Sequence, residues 1–182
     1  MSAANSEATP YQLLRQAEQK YISLNRQDGD AADHQEWTGV LFRLGEDQVL
    51  APMAMLQEIV PSPSWIRVPG VKHWLLGLAN IHGALMPVVD LERYLFGAPS
   101  GGVRSTQRLL VINDGGNRVG VLVPEVMGMK HFWTSDEVNA RPPLREEVVP
   151  YVSAALRRYG EHYAVFDMRK LFNNPDFRQV AV

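Results

Sequence analysis

The chain contains no cysteine, which excludes disulfides and thiolate metal sites and agrees with a reducing compartment. No apolar run reaches the ~20 residues that a membrane-spanning helix needs. The opening residues, MSAANSEATP, lack a basic stretch followed by an apolar core, so no signal peptide is expected. An excess of one charge is missing too: 18 Lys and Arg face 20 Asp and Glu, for a net charge of -2. Nucleic-acid binding calls for a strongly basic face, so no nucleic-acid partner is expected. These absences describe a soluble cytoplasmic protein with no direct membrane insertion.

Catalytic signatures are absent as well. There is no Gly-x-x-x-x-Gly-Lys phosphate loop, no Gly-x-Gly-x-x-Gly, no His-Glu-x-x-His and no Gly-x-Ser-x-Gly elbow. The histidines at 34, 73, 82, 131 and 162 are scattered rather than set at metal-ligand spacing. Nothing calls for a cofactor or a metal.

What is present is ordinary globular composition, 46% hydrophobic over 182 residues, enough for one domain or two small ones. Residues 1–36 form an extension. Within it Leu14, Ala17, Tyr21 and Leu24 recur at helical steps, predicting a helix over 11–25, followed by a linker containing DGDAAD. From Trp37 the period becomes two. Val40, Phe42 and Leu44 alternate along a strand, Gly45 to Gln48 turn, and Val49 resumes. A second hairpin runs from Leu109 to Val123, with Asn113 to Asn117 at its turn.

The chain also repeats itself. GALMPVVDL from Gly83 resembles GEHYAVFDM from Gly160, with the same Gly-to-Asp spacing of seven and an offset of 77. Each copy reads as a hairpin, an irregular stretch, a glycine, a strand, an aspartate and a short helix. Gly83 and Gly160 allow a turn closed to other residues. Asp90 and Asp167 cap the helices that follow, worth ~1 kcal/mol each. Those helices are expected to plug the open ends of small barrels.

Few residues suggest chemistry. Asp90 and Asp167 read as caps before acids, because catalysis would not need the site twice. Glu58 is a lone acid among apolar neighbours, either solvated or in contact with a partner. His82 and Asn80 read first as turn residues, and Arg157-Arg158 as a solvated basic pair. The residues describe a β-rich binding module more than an enzyme.

Taken in order, the segments resemble one family. Gly77-Leu-Ala-Asn80-Ile-His82-Gly83, then Met86-Pro-Val-Val-Asp90-Leu91, is similar to the Gly-x-x-Asn-x-Arg-Gly and Pro-Val-x-Asp-Leu signature of CheW-type chemotaxis adaptors. Leu56-Gln-Glu58-Ile59-Val60, Val68-Pro-Gly70, Gly120 to Val126 and Val165-Phe-Asp167 resemble its other segments, over about 37–172. The wording from Pro69 to Asn80, with Trp37 opening the body, looks most like the PilI branch, which serves type IV pili and twitching motility.

The resemblance implies a mainly β fold of two five-stranded SH3-like barrels with an N-terminal helical extension. Barrel one spans about 37–96 and barrel two about 103–172, with strand exchange allowed for, and a tail follows at 173–182. It implies a non-enzymatic adaptor that couples the tip of a methyl-accepting chemoreceptor to the regulatory domain of a CheA-type histidine kinase. Other adaptor copies in array rings are further partners, and recruitment to a membrane-associated array follows. The receptor groove implied for this chain holds Leu56, Glu58, Ile59, Asn80, His82, Gly83, Val126 and Met129, with Gly77, Asp90, Gly160 and Asp167 structural. Two departures stand out. His82 replaces the family's Arg, and Pro124-Glu125 marks an edge or a bulge. The alternatives are a generic SH3-like scaffold module and, from another class, a small hydrolase using Asp90 with a histidine.

Overall fold

The computed structural model describes residues 35–181; the helix expected over 11–25 lies outside the described residues. Among the described residues eleven strands form two sheets. One contains β3 (Leu56–Pro61), β4 (Leu75–Ile81), β5 (Ala84–Asp90), β6 (Arg108–Asp114) and β7 (Asn117–Val123), in the order β3-β6-β7-β5-β4. The other contains β1 (Glu36–Leu44), β2 (Asp47–Pro52), β8 (Val126–Trp133), β9 (Glu137–Val138), β10 (Val152–Arg158) and β11 (Glu161–Phe166). Its order is β8-β1-β2-β11-β10-β9.

Apart from the two-residue β9, the sheets have the same plan. Each has an edge strand, a hairpin, and a second hairpin joined to the first in parallel: β5 beside β7 in one, β11 beside β2 in the other. The sheets do not divide at the boundary expected between 96 and 103. The β1–β2 hairpin completes the C-terminal sheet, and β6–β7 completes the N-terminal one. The two repeats have exchanged hairpins.

Both faces of the central strands are buried. On β6, Leu109 and Val111 face the first sheet's own core, with Met86, Val88 and Leu122. Leu110 and Ile112 face the core between the sheets. On β1, Val40 and Phe42 join that shared core, while Leu41 meets Leu50, Phe132 and Val165 in the second sheet's core. This is why LLVI and GVLV run apolar without alternation.

The aspartates end their strands as expected. Asp90 caps α1 (Leu91–Phe96) by accepting from the Arg93 N–H, and Asp167 caps α2 (Met168–Phe172) by accepting from Arg169. Leu91, Met168, Leu171 and Phe172 enter the core shared by the sheets, rather than plugging the end of one barrel. The stretch expected as a tail carries structure over residues 173–181. It forms α3 (Pro175–Arg178), buries Phe177 in the shared core, and bridges Ala181 to Val71.

Candidate functional site

Two-residue hairpin loops with positive φ at both positions are type I′ turns, whose twist matches that of the strands. The β4–β5 loop is one, with His82 at φ 49 and Gly83 at φ 83. Histidine tolerates this left-handed region better than most side chains. Asn80 steadies the loop, its Oδ1 accepting from the Gly83 N–H at 2.9 Å. Asn80, His82 and Gly83 are all exposed.

The loop holds His82 over a different strand. Its Nε2 lies 3.1 Å from a carboxylate oxygen of Glu58 on β3. β3 and β4 are opposite edges of their sheet, so this pair spans the two edges. Val60 of β3 and Leu76 of β4 both pack against the sheet's inner core, so the sheet curls on itself. Ile59, next to Glu58, is half-buried against the shared core. The surface therefore offers an acid, an imidazole and an amide beside apolar edge positions.

The other expected groove residues are less uniform. Leu56 is a correction: it is only 8% exposed and belongs to the shared core. It pairs with Ile112 in the ladder and lines a pocket of about 320 Å³ with Met55 and Phe172. Val126 is half-buried against the shared core, whereas Met129 is 62% exposed. Both lie on β8, the edge of the other sheet that corresponds to β3. Pro124-Glu125 forms the connection from β7 into that edge strand, with the Arg43 N–H donating to the Glu125 carbonyl.

Sequence reasoning missed Met127, an exposed neighbour of Met129; the Met-Gly-Met run on an edge strand was the available signal. It also missed Glu92, 5% exposed, whose carboxylate accepts N–H bonds from Gly45 and Gly101. Glu92 thereby ties the turn of the exchanged β1–β2 hairpin to the loop after α1.

The four structural residues have clear roles. Gly77, at φ 146, has no room for a side chain: a Cβ there would lie 2.0 Å from the Ile66 carbonyl oxygen. Gly160 turns β10 into β11 at φ 83 beside Tyr159 at φ 53, matching the His82-Gly83 turn. Asp167, besides capping, faces the Arg169 guanidinium at 3.2 Å, which raises the Arg169 pKa. Asp90 is 2% exposed. Its oxygens accept from the Arg93 N–H at 3.1 Å, the Ser100 hydroxyl at 2.6 Å and the Ser100 N–H at 3.1 Å. A carboxylate so engaged is a fastener, which removes the hydrolase built on Asp90.

Elsewhere two tyrosines are perturbed. Burial and the neighbouring Tyr151 hydroxyl, 3.0 Å away, push the Tyr94 phenol above its ordinary value. Burial and Glu161 push Tyr163 up to about 12. No group of three or more His, Asp or Glu side chains among the described residues is placed to hold a metal. Among those residues no helix is long and apolar enough to cross a membrane. The arrangement can hold a partner by hydrogen bonds and apolar contact.

Comparison with known proteins agrees with this architecture. The family profile described as CheW-like domain matches residues 38–176. Protein PilI of Pseudomonas aeruginosa is 33% identical over 177 residues, 96% of this chain and 97% of that protein. Chemotaxis protein CheW of Klebsiella aerogenes is 22% identical over 142 residues, 78% of this chain and 84% of that protein. The crystal structure of scaffolding protein TtCheW from Thermoanaerobacter tengcongensis superposes with a TM-score of 0.65 at 20% identity, covering 78% of this chain and 95% of that chain.

Proposed function

The chain belongs to the CheW-like family, and from that premise we propose that it couples a methyl-accepting chemoreceptor to a CheA-type histidine kinase. CheW-like proteins are non-enzymatic scaffolds, so its work is to hold partners together. The 33% identity to a PilI protein over nearly the whole chain supports a place in the chemosensory control of type IV pili. In this reading the chain is cytoplasmic and is recruited to a membrane-associated array through its partners.

The observation that carries the reading is the Glu58–His82 pair. It puts two positions of the family signature, 24 residues apart in sequence, at one exposed place on the surface. A receptor tip is a helical hairpin, and helix-in-groove recognition needs apolar anchors with polar groups to fix orientation. Ile59 and the exposed Met127 and Met129 supply apolar area; Glu58, Asn80 and His82 supply the polar groups. Thioether side chains adapt to irregular partner surfaces.

The test is calorimetric titration against the kinase regulatory domain and, separately, a receptor-tip fragment. Micromolar binding to both, about -8 kcal/mol, is the expected result. Binding to neither overturns the coupling role and leaves the generic SH3-like scaffold reading in its place.

A further inference from the structure

Methionine carries all the sulfur of this chain, since cysteine is absent. Its side chains divide by exposure. Met86 and Met168 are sealed in the cores, at 1% and 0%. Met129, at 62%, is the most exposed methionine among the described residues, and Met127 and Met53 follow at 40% and 37%. Thioethers usually fill gaps in cores, so two open ones separated by a single glycine call for a reason. The strand that carries them is an edge. Opposite β1, Val126 pairs with Phe42, Gly128 with Leu41 and Met129 with Val40. Met127 is left as the extra residue of a bulge, and bulges re-aim side chains beside functional sites.

We propose that Met127 and Met129 form an oxidation switch in the receptor groove. A hydroperoxide transfers an oxygen to the thioether sulfur: the O–O bond breaks and an S–O bond forms. The sulfur is oxidised, and the peroxide is reduced and leaves as water or an alcohol. A flexible apolar side chain becomes a polar, chiral sulfoxide. Burying that sulfoxide oxygen against an apolar partner without a hydrogen bond is costly, so the oxidised edge releases the receptor tip. Methionine sulfoxide reductases reverse the change. The switch rests on the groove reading and adds its regulation.

The test treats the full chain with hydrogen peroxide, maps the sulfoxides by peptide mass spectrometry, and titrates a receptor-tip fragment before and after. Met129 and Met127 are expected to oxidise ahead of the buried Met86 and Met168, with the melting temperature unchanged. Receptor affinity is expected to fall about tenfold or more, the loss that follows when an interface anchor is spoiled. Reduction by both sulfoxide reductases is expected to restore it. Met127→Leu combined with Met129→Leu removes both sulfurs. Whatever its starting affinity, this double variant is expected to lose no more on peroxide treatment, which separates the pair from Met53. Untreated protein that ignores the receptor tip overturns the groove reading, and the switch with it. Untreated protein that binds, but keeps its affinity once both sulfurs are oxidised, overturns the switch alone. So does a double variant that stays peroxide-sensitive, or oxidation of Met86 or Met168 ahead of the edge pair.

Discussion

The imidazole Nε2 of His82 lies 3.1 Å from a carboxylate oxygen of Glu58, closing the gap between the two edges of one sheet. The His82 side chain is 76% exposed and that of Glu58 28%, so water screens the pair. Exposed pairs of this kind contribute at most about 1 kcal/mol to folding. Their position matters more than their strength.

His82→Ala and Glu58→Ala are therefore expected to change stability by no more than about 1 kcal/mol. The same changes are expected to weaken receptor-tip binding about tenfold or more, as anchors at an interface centre do. Urea unfolding and titration on the same samples separate the two effects. His82→Arg keeps a donor toward Glu58 and adds a forked, permanently charged head, so it is expected to change the preference among receptor fragments. Equal affinity for every fragment before and after would remove His82 from the contact.

Gly77 gives the sharpest stability test. A Cβ at this position would lie 2.0 Å from the Ile66 oxygen and 2.7 Å from its carbonyl carbon. The Ile66 backbone cannot retreat cheaply, since its N–H donates to the Leu78 carbonyl at 2.8 Å and its carbonyl accepts from the Leu78 N–H at 2.9 Å. Gly77→Ala is expected to cost about 3 kcal/mol from overpacking and backbone strain. At Gly116 a Cβ would meet nothing within 4 Å, so Gly116→Ala carries only the penalty of its positive φ, about 1 kcal/mol. Comparable denaturation midpoints for the two variants would show that the Ile66 segment moves freely.

The caps should rank unequally although the sequence repeats them. Asp90 holds the Arg93 N–H, the Ser100 N–H and the Ser100 hydroxyl. Asp167 holds the Arg169 N–H and an exposed guanidinium. Asp90→Ala is expected to cost about 3 kcal/mol, since three half-buried donors around a buried carboxylate lose their acceptor, and Asp167→Ala about 1 kcal/mol. Chemical denaturation midpoints check the order.

The turn and cap positions were legible because their chemistry is local. Asn80, Gly83, Asp90, Gly160 and Asp167 each act within a few residues of themselves. Strand exchange was allowed for, but which hairpins exchange was hidden, because it depends on parallel pairings, Val88 beside Gly120 and Ala164 beside Val49, that leave no periodic trace in strands buried on both faces. Leu56 looked like a contact because its strand carries Glu58, and only the packing of the folded chain shows it in the shared core. Glu92 drew no reading because its partner Gly45 is 47 residues away.

Alkaline titration carries a sign that can be worked out. Tyr163 is raised to about 12 by burial and by Glu161, whereas an unfolded tyrosine ionises near 10. The native state thus keeps a proton that the unfolded state releases. That contribution is fully present below about pH 10 and is lost as pH rises toward about 12. Tyr163→Phe is expected to flatten this part of the stability profile, and phenolate absorbance of the native protein should show Tyr163 and Tyr94 ionising last. A Tyr163 that titrates together with the exposed tyrosines contradicts the assignment.

Phe177 tests whether the C-terminal residues belong to the fold. Its ring stacks on Trp74 at 5.2 Å, meets Tyr94 edge-on at 5.0 Å and lies 5.6 Å from Phe172. It is 6% exposed. The backbone holds it there: Asn174 caps α3, and the Lys72 N–H donates to the Val180 carbonyl at 2.9 Å. Removing a buried aromatic ring costs about 3–5 kcal/mol, a large part of the stability of a domain this size. Phe177→Ala is expected to lower the denaturation midpoint severely, and ending the chain at Asn173 at least as much. Phe177→Leu, which retains most of the apolar area, should recover most of the loss. A chain ending at Asn173 that unfolds at the parent's midpoint would mean that Trp74 and Tyr94 pack without the cover of α3.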